Sequence, residues 1–191
     1  MIITIARQCG CGAVEVGRLL SARYGIPFYT RTDLLEMARR RGLEAAMADF
    51  FEERPVDELL FSISSYGEER TALTERPLKA LAEMIGSESC IIIGRCGNHI
   101  FRQRPDLVSV FLGGGERERI AHIMREQQLT PSQAQDFVEQ MDDRRAAYHK
   151  YYTGLQWGAA ADYDLCLDTV RLGADATARI ISDYADAVIS H

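Results

Sequence analysis

Ile2-Ile3-Thr4-Ile5-Ala6-Arg7-Gln8-Cys9-Gly10-Cys11-Gly12-Ala13-Val14-Glu15-Val16 opens the chain, and its reading decides the fold. Residues 2–5 are all β-branched, which favours a strand. Gly10 and Gly12 punctuate a loop. From Ala13 the period changes: Val16, Leu19, Leu20 and Tyr24 recur at helical spacing. Strand, glycine loop and helix start bring free backbone N–H groups and the positive end of a helix dipole to one point, a geometry that holds phosphate. The same glycines also suit the tight turn that any doubly wound α/β fold needs, and a Gly-x-Gly alone does not separate the two readings. A full phosphate-loop motif ends Gly-Lys-Ser/Thr. Here Ala13-Val14-Glu15 follow Gly12, so the lysine and the hydroxyl are both missing.

The chain has 191 residues, enough for one core that folds without disulfides. Its 47% hydrophobic and 26% charged composition is that of a globular domain. A net charge of −6 argues against broad nucleic-acid binding, though not against a local basic pocket. Five cysteines at scattered positions, no secretory apolar segment and no run near 18 apolar residues predict a reduced, cytoplasmic protein without a membrane partner. Cys9-x-Cys11 lacks the second pair that a zinc site needs, so no metal site is predicted there.

Further along, four more apolar stretches read as strands: Ile26–Tyr29, Cys90–Ile93, Leu107–Leu112 and Asp164–Thr169. Helical patterns separate them. Thr32 is a candidate cap for a helix reaching Arg41, and residues 43–54 are expected to be helical. Pro55 to Glu69 reads as a loop. Thr71 to Ile85 is helical, with Pro77 in its first turn or kinking it. Arg117, Arg119 and Arg125 are expected to point outward from the helix after Gly115. Thr130-Pro131-Ser132-Gln133 is a helix start with cap, first-turn proline and capping-box glutamine. Tyr151 to Gly158 reads as an aromatic loop, and Ala174 to Ser190 as a closing helix with Ile180, Ile181, Tyr184 and Val188 inward. Strands alternating with helices imply an α/β fold with a five-stranded, mainly parallel sheet and helices on both faces. Ligands in such sheets sit at the carboxyl ends of the strands, so Arg95, straight after the run 90–93, should share a crevice with the 7–15 loop.

Arg95 suits bidentate phosphate binding, with a surface arginine or ion pair as the alternative. Arg144 and Arg145 lie on a helix face with Asp142 and Asp143, and charged faces are commonly just solvated. Arg7 is placed to hold phosphate charge in lieu of the missing lysine. Tyr148, Tyr151, Tyr152 and Trp157 either stack on a base or form a satellite core. Asp164 and Asp168 read as caps.

Together these residues resemble the cytidylate-kinase-like proteins of bacteria, a branch of the P-loop nucleoside monophosphate kinases. The resemblance is carried by Ile3 to Gly12 with Glu15-Val16-Gly17, by Gly25 to Tyr29, and by Ile92 to Gly97. Its last and most specific block is Arg145, Tyr151 to Gly154, Trp157-Gly158 and Tyr163 to Thr169. It implies a single P-loop kinase-type three-layer domain over 1–191, with an acceptor-side segment at 43–70 expected to be mobile and a helical lid at 130–158. The implied activity is phosphoryl transfer from ATP, with Mg2+ brought by the nucleotide, to a (deoxy)nucleoside monophosphate or similar small phosphorylated acceptor. The resemblance places the donor phosphates on Arg7, Gln8, Cys9, Gly10, Cys11, Gly12, Ala13, Val14 and Glu15. It places the acceptor near Tyr29, Arg95, Arg144 and Arg145, with Arg95, Arg145 and Arg7 as the candidate catalytic cations. This chain departs from the family at Ala13-Val14, where Gly-Arg is usual, at Glu15, the position of the metal-holding hydroxyl, and at Thr30, where an acid is common. The alternative reading is therefore a non-catalytic nucleotide- or anion-binding regulator on the same fold.

Overall fold

The computed structural model describes residues 1–52 and 68–189, with side chains described again from Thr74. The expected loop at 55–69, and the mobility expected for 43–70, fall mostly outside the described residues. Five strands form one sheet: β1 (Ile2–Arg7), β2 (Phe28–Tyr29), β3 (Cys90–Ile93), β4 (Leu107–Gly113) and β5 (Leu165–Asp168). Their order is β2-β3-β1-β4-β5 and every neighbouring pair is parallel. From β1 the chain runs out to the β2 edge and returns through β3, then crosses to the other side for β4 and β5. The reversal falls at β1, and the crevice outside its carboxyl end is where such sheets hold ligands.

Side chains alternate across the sheet with period two. Ile3, Ile5, Ile91, Ile93, Val108 and Val110 face one layer, where α1 (Ala13–Tyr24) and α9 (Ala174–Ile189) supply Val16, Leu20, Ile181 and Ala185. Ile2, Cys90 and Ile92 face the other, formed by α2 (Arg31–Arg40), α3 (Glu44–Glu52), α4 (Glu68–Ile85) and α5 (Gly97–Ile100), with Leu34, Phe50, Phe51 and Leu81 at its centre. This is the three-layer α/β fold the strand pattern implies. Each fully buried isoleucine contributes roughly 1.5–3 kcal/mol, so the β1–β3–β4 centre anchors everything attached to its ends. Beyond those ends, α6 (Glu116–Gln127) and α7 (Pro131–Thr153) pack as a hairpin, and Cys9 of the β1–α1 loop inserts between them against Ile123, Ala134 and Val138. A short α8 (Thr169–Leu172) follows β5, capped by Asp168, whose carboxylate accepts the Arg171 N–H.

Several local expectations change in the folded chain. Thr30, not Thr32, caps α2, because Asp33 three residues on completes a capping box with it. Pro77 sits in the interior of α4, not in its first turn. The helix continues because Leu78, Leu81, Met84 and Ile85 are buried against the sheet, and that packing outweighs one lost backbone bond. Tyr151 to Thr153 extend α7 and do not form a loop, since Tyr152 packs edge-on against Phe50 at 5.1 Å. On α9, Ile180 and Val188 are exposed, and Ala178, Ile181 and Ala185 form the buried stripe.

Candidate functional site

The loop between β1 and α1 keeps its donors unspent. Gly12 caps α1 in the left-handed region at φ 61°, and a Cβ added there would meet open space. Among the described residues, the N–H groups of Cys11, Gly12, Ala13 and Val14 make no hydrogen bond. Gly10 answers to a different demand. Its φ is +81°, and a Cβ would lie 2.7 Å from the Arg119 carbonyl oxygen, so only glycine lets α6 pass this close. Gly10→Ala should lower stability by about 2 kcal/mol, read as a drop of about 5 °C in thermal midpoint, whereas Gly12→Ala costs only the left-handed backbone. Burial pushes the Cys11 thiol up to about 11 and raises that of Cys9, so neither is a thiolate at neutral pH.

β3 ends in a turn that aims Arg95. Gly94, Arg95 and Cys96 are consecutively left-handed, at φ 76°, 55° and 54°. Two non-glycine residues in that region cost about 1–2 kcal/mol each, strain of the kind found at functional sites. Arg95 is only 3% exposed. Its Nη1 donates to the Phe50 carbonyl at 2.6 Å, its guanidinium lies 4.8 Å from the centre of the Tyr148 ring, and the Tyr148 hydroxyl donates to the same carbonyl at 3.0 Å. Arg31 Nε donates to the neighbouring Phe51 carbonyl. The negative end of the α3 dipole thus rests on cations.

Arg7 leaves the end of β1 and lies over Gly94, where any Cβ would collide with its Nη1. Arg145 comes from α7, donates to the Arg7 carbonyl at 3.3 Å, and leaves its buried Nε without a partner among the described residues. The three arginines line one narrow pocket, whose enclosed part measures about 30 Å³, room for about two waters. Burial, then Arg145 and Arg95, lowers the Arg7 guanidinium to about 9. It remains a cation at neutral pH, so its neighbours repel it. Arg95 and Arg145 are lowered too, chiefly by burial. Among the described residues no carboxylate pairs with Arg7, and Asp142 pairs with Arg145 only loosely, at 3.8 Å.

Asp142 is engaged elsewhere. Its carboxylate accepts the Cys9 N–H at 2.6 Å and the Arg119 Nη1 at 2.6 Å, and Arg119 also donates to the Cys9 and Gly114 carbonyls. Arg119 is therefore buried, not outward as its helical position suggests, and it ties α6, α7 and the loop together. Arg119 and the role of Asp142 were missed from sequence. The signal present was the stripe Asp142, Arg145, His149 at spacings of three and four on one face of α7.

Of the remaining predicted residues, Gln8 accepts the Gly114 N–H and so braces the loop, Ala13 is buried, and Val14 and Glu15 are exposed. Two acceptor-side expectations are not met by position. Arg144 is exposed and outside the pocket, because its place on α7 turns it away from the Arg145 face. Tyr29 is also outside it: burial, then Glu88, which its hydroxyl contacts at 3.3 Å, raises its phenol to about 12. The aromatic cluster divides. Tyr148 and Tyr152 belong to the core around Phe50, whereas Trp157, edge-on to Phe111, lines the pocket.

The sequence model of the cytidylate kinase-like family matches residues 2–171, which include every element of this site. The chain belongs to that family. The cytidylate kinase-like chain also matches solved structures along its whole length. An uncharacterized protein from Eubacterium ventriosum ATCC 27560 superposes with a TM-score of 0.77 at 23% identity, over 98% of both chains. A gluconokinase from Sinorhizobium meliloti 1021 gives 0.54 at 13% identity, over 98% of this chain and 94% of that one. A shikimate kinase from Bacteroides thetaiotaomicron gives 0.51 at 12%, over 100% and 99%. These likenesses establish a P-loop kinase fold. A search of curated proteins finds no match.

The arginines and the unspent loop N–H groups fit phosphate. Among the described residues no three His, Cys, Asp or Glu side chains converge, and Glu15 is exposed. Among the described residues, no helix is long and apolar enough to cross a membrane.

Proposed function

We propose that this protein is a small-molecule kinase that transfers a phosphoryl group from ATP to a nucleoside monophosphate or a similar small phosphorylated acceptor. The observation that carries this reading is the convergence of Arg7, Arg95 and Arg145 on one pocket, where among the described residues no carboxylate pairs with Arg7 and Asp142, engaged by Arg119, lies 3.8 Å from Arg145. A buried cation held in this way beside other cations favours the arrival of an anion. Phosphoryl transfer needs positioning and charge neutralisation more than a covalent catalyst, and three guanidinium groups offer both. In this reading the loop N–H groups from Cys11 to Val14 hold donor phosphates and Arg95 holds the acceptor phosphate. Arg145, on the lid helix, bridges the two sides, and Arg7 stabilises charge between them. Bound magnesium would neutralise phosphate charge, held by the nucleotide.

The decisive measurement pairs a thermal-shift panel of ATP, CMP, dCMP and UMP with a transfer assay. A nucleotide at about a hundred times its dissociation constant should raise the midpoint by roughly 5–10 °C. Transfer should require magnesium and disappear in Arg95→Ala. Tight ATP binding with no turnover on any acceptor would favour the regulator reading, for which the absent Lys and Ser/Thr at positions 13–15 are the specific observation. No shift with any nucleotide at millimolar concentration would end the kinase reading.

A further inference from the structure

His149 lies one turn beyond Arg145 on α7 and is 3% exposed, yet among the described residues its Nε2 has no hydrogen-bond partner. Thr4 on β1 is 2% exposed, and among the described residues its Oγ1 is equally without one. Both side chains line the space into which Arg7 and Arg145 project. Buried polar atoms are nearly always paired, so two left without a partner among the described residues, on residues that line one pocket, are a request for a ligand atom. The kind of atom follows from charge. Burial and the nearby His99 bring the His149 imidazole down to about 4, so it is neutral at physiological pH, with one ring nitrogen donating and the other accepting. Thr4 likewise offers a neutral hydroxyl that both donates and accepts. Phosphate oxygens are only acceptors and are already served by the arginines. A neutral group that donates and accepts is the complement of an uncharged hydroxyl. Trp157 adds a flat apolar wall to the same pocket, suited to the carbon face of a ring.

We propose that Thr4 and His149 form a hydroxyl-reading subsite beside the arginine cluster, so that the acceptor is a phosphate ester carrying a free hydroxyl close to its phosphate. This rests on the reading of Arg7, Arg95 and Arg145 as the phosphate site. The subsite explains why a threonine occupies the centre of an otherwise isoleucine-lined strand. It also makes both residues specificity determinants: they distinguish acceptors with the same phosphate and different neighbouring groups.

The test measures dissociation constants of inorganic phosphate, methyl phosphate, ribose 5-phosphate and CMP for wild type, Thr4→Val, His149→Phe and His149→Gln. Thr4→Val is isosteric and removes only an unpaired hydroxyl, so its ligand-free thermal midpoint should equal or exceed that of wild type. Both Thr4→Val and His149→Phe should weaken ribose 5-phosphate and CMP about tenfold or more while leaving inorganic and methyl phosphate within about twofold, and His149→Gln should recover part of the loss. Unchanged binding of the hydroxylated ligands, or an equal loss for all four, overturns the subsite and leaves the phosphate reading standing. So does a wild type that binds ribose 5-phosphate and CMP no more tightly than methyl phosphate. A wild type that binds none of the four overturns the phosphate reading and the subsite with it.

Discussion

Arg7→Met is expected to raise the thermal midpoint of the ligand-free protein by about 4 °C and to lower phosphoryl-transfer turnover at least a hundredfold. The two effects have one cause. Arg7 is held against Arg145 and Arg95 with no carboxylate of its own among the described residues, and burial together with those two cations lowers its guanidinium to about 9. Exchanging a buried, poorly compensated charge for an apolar side chain of similar length is often stabilising by about 1–4 kcal/mol. In a domain of this size 1 kcal/mol is worth about 2–4 °C. Methionine follows the path of the arginine stem over Gly94 without branching, so the substitution leaves the β1–β3 crevice filled. In the proposed reaction the lost turnover follows from removing one of three cations near the developing charge, a loss of about 3 kcal/mol in the transition state. Differential scanning calorimetry and a coupled transfer assay read the two effects separately. A midpoint that falls would mean that Arg7 supports the fold, and a turnover that holds would remove it from the reaction.

Asp142→Ala should be the most damaging single change outside the hydrophobic core, lowering stability by about 3–5 kcal/mol and the midpoint by about 10 °C. The Asp142 and Arg119 side chains are 15% and 7% exposed and meet at 2.6 Å. Removing the carboxylate leaves Arg119 buried with only carbonyl partners and deprives the Cys9 N–H of its acceptor. The consequence reaches the site, because this ion pair fastens the α6–α7 hairpin to the β1–α1 loop. Hydrogen exchange should quicken at Cys9 and through the first half of α7, while the β1, β3 and β4 amides stay protected. Asp143→Ala, one residue along and exposed, should change stability by less than about 0.5 kcal/mol. If Asp142→Ala and Asp143→Ala behave alike, the buried pair does not clamp the α6–α7 hairpin.

The frame was legible in the sequence because local chemistry sets it. The β-branched run at 2–5 and the apolar run Cys90–Ile93 favour buried strands, and Gly25 and the Thr130-to-Gln133 box mark helix ends by backbone rules that act within a few residues. Those elements, in that order, admit little other than a parallel sheet with its crevice beyond Gly12 and Gly94. The pocket's composition was not legible in the same way. Arg144 and Arg145 are neighbours of identical chemistry, and only the packing of α7 against β1 decides that Arg145 enters the pocket and Arg144 faces solvent. Arg119 reads as a surface cation until α7 brings Asp142 to it from 23 residues away. Thr4 and His149 carry no motif at all, and only the packing of β1 and α7 brings both to the lining of one pocket with polar atoms that lack a partner among the described residues. Local propensity acts over a turn of chain and is therefore written in sequence. Burial, charge pairing and the absence of a partner are properties of what arrives from elsewhere, and only the tertiary structure decides them.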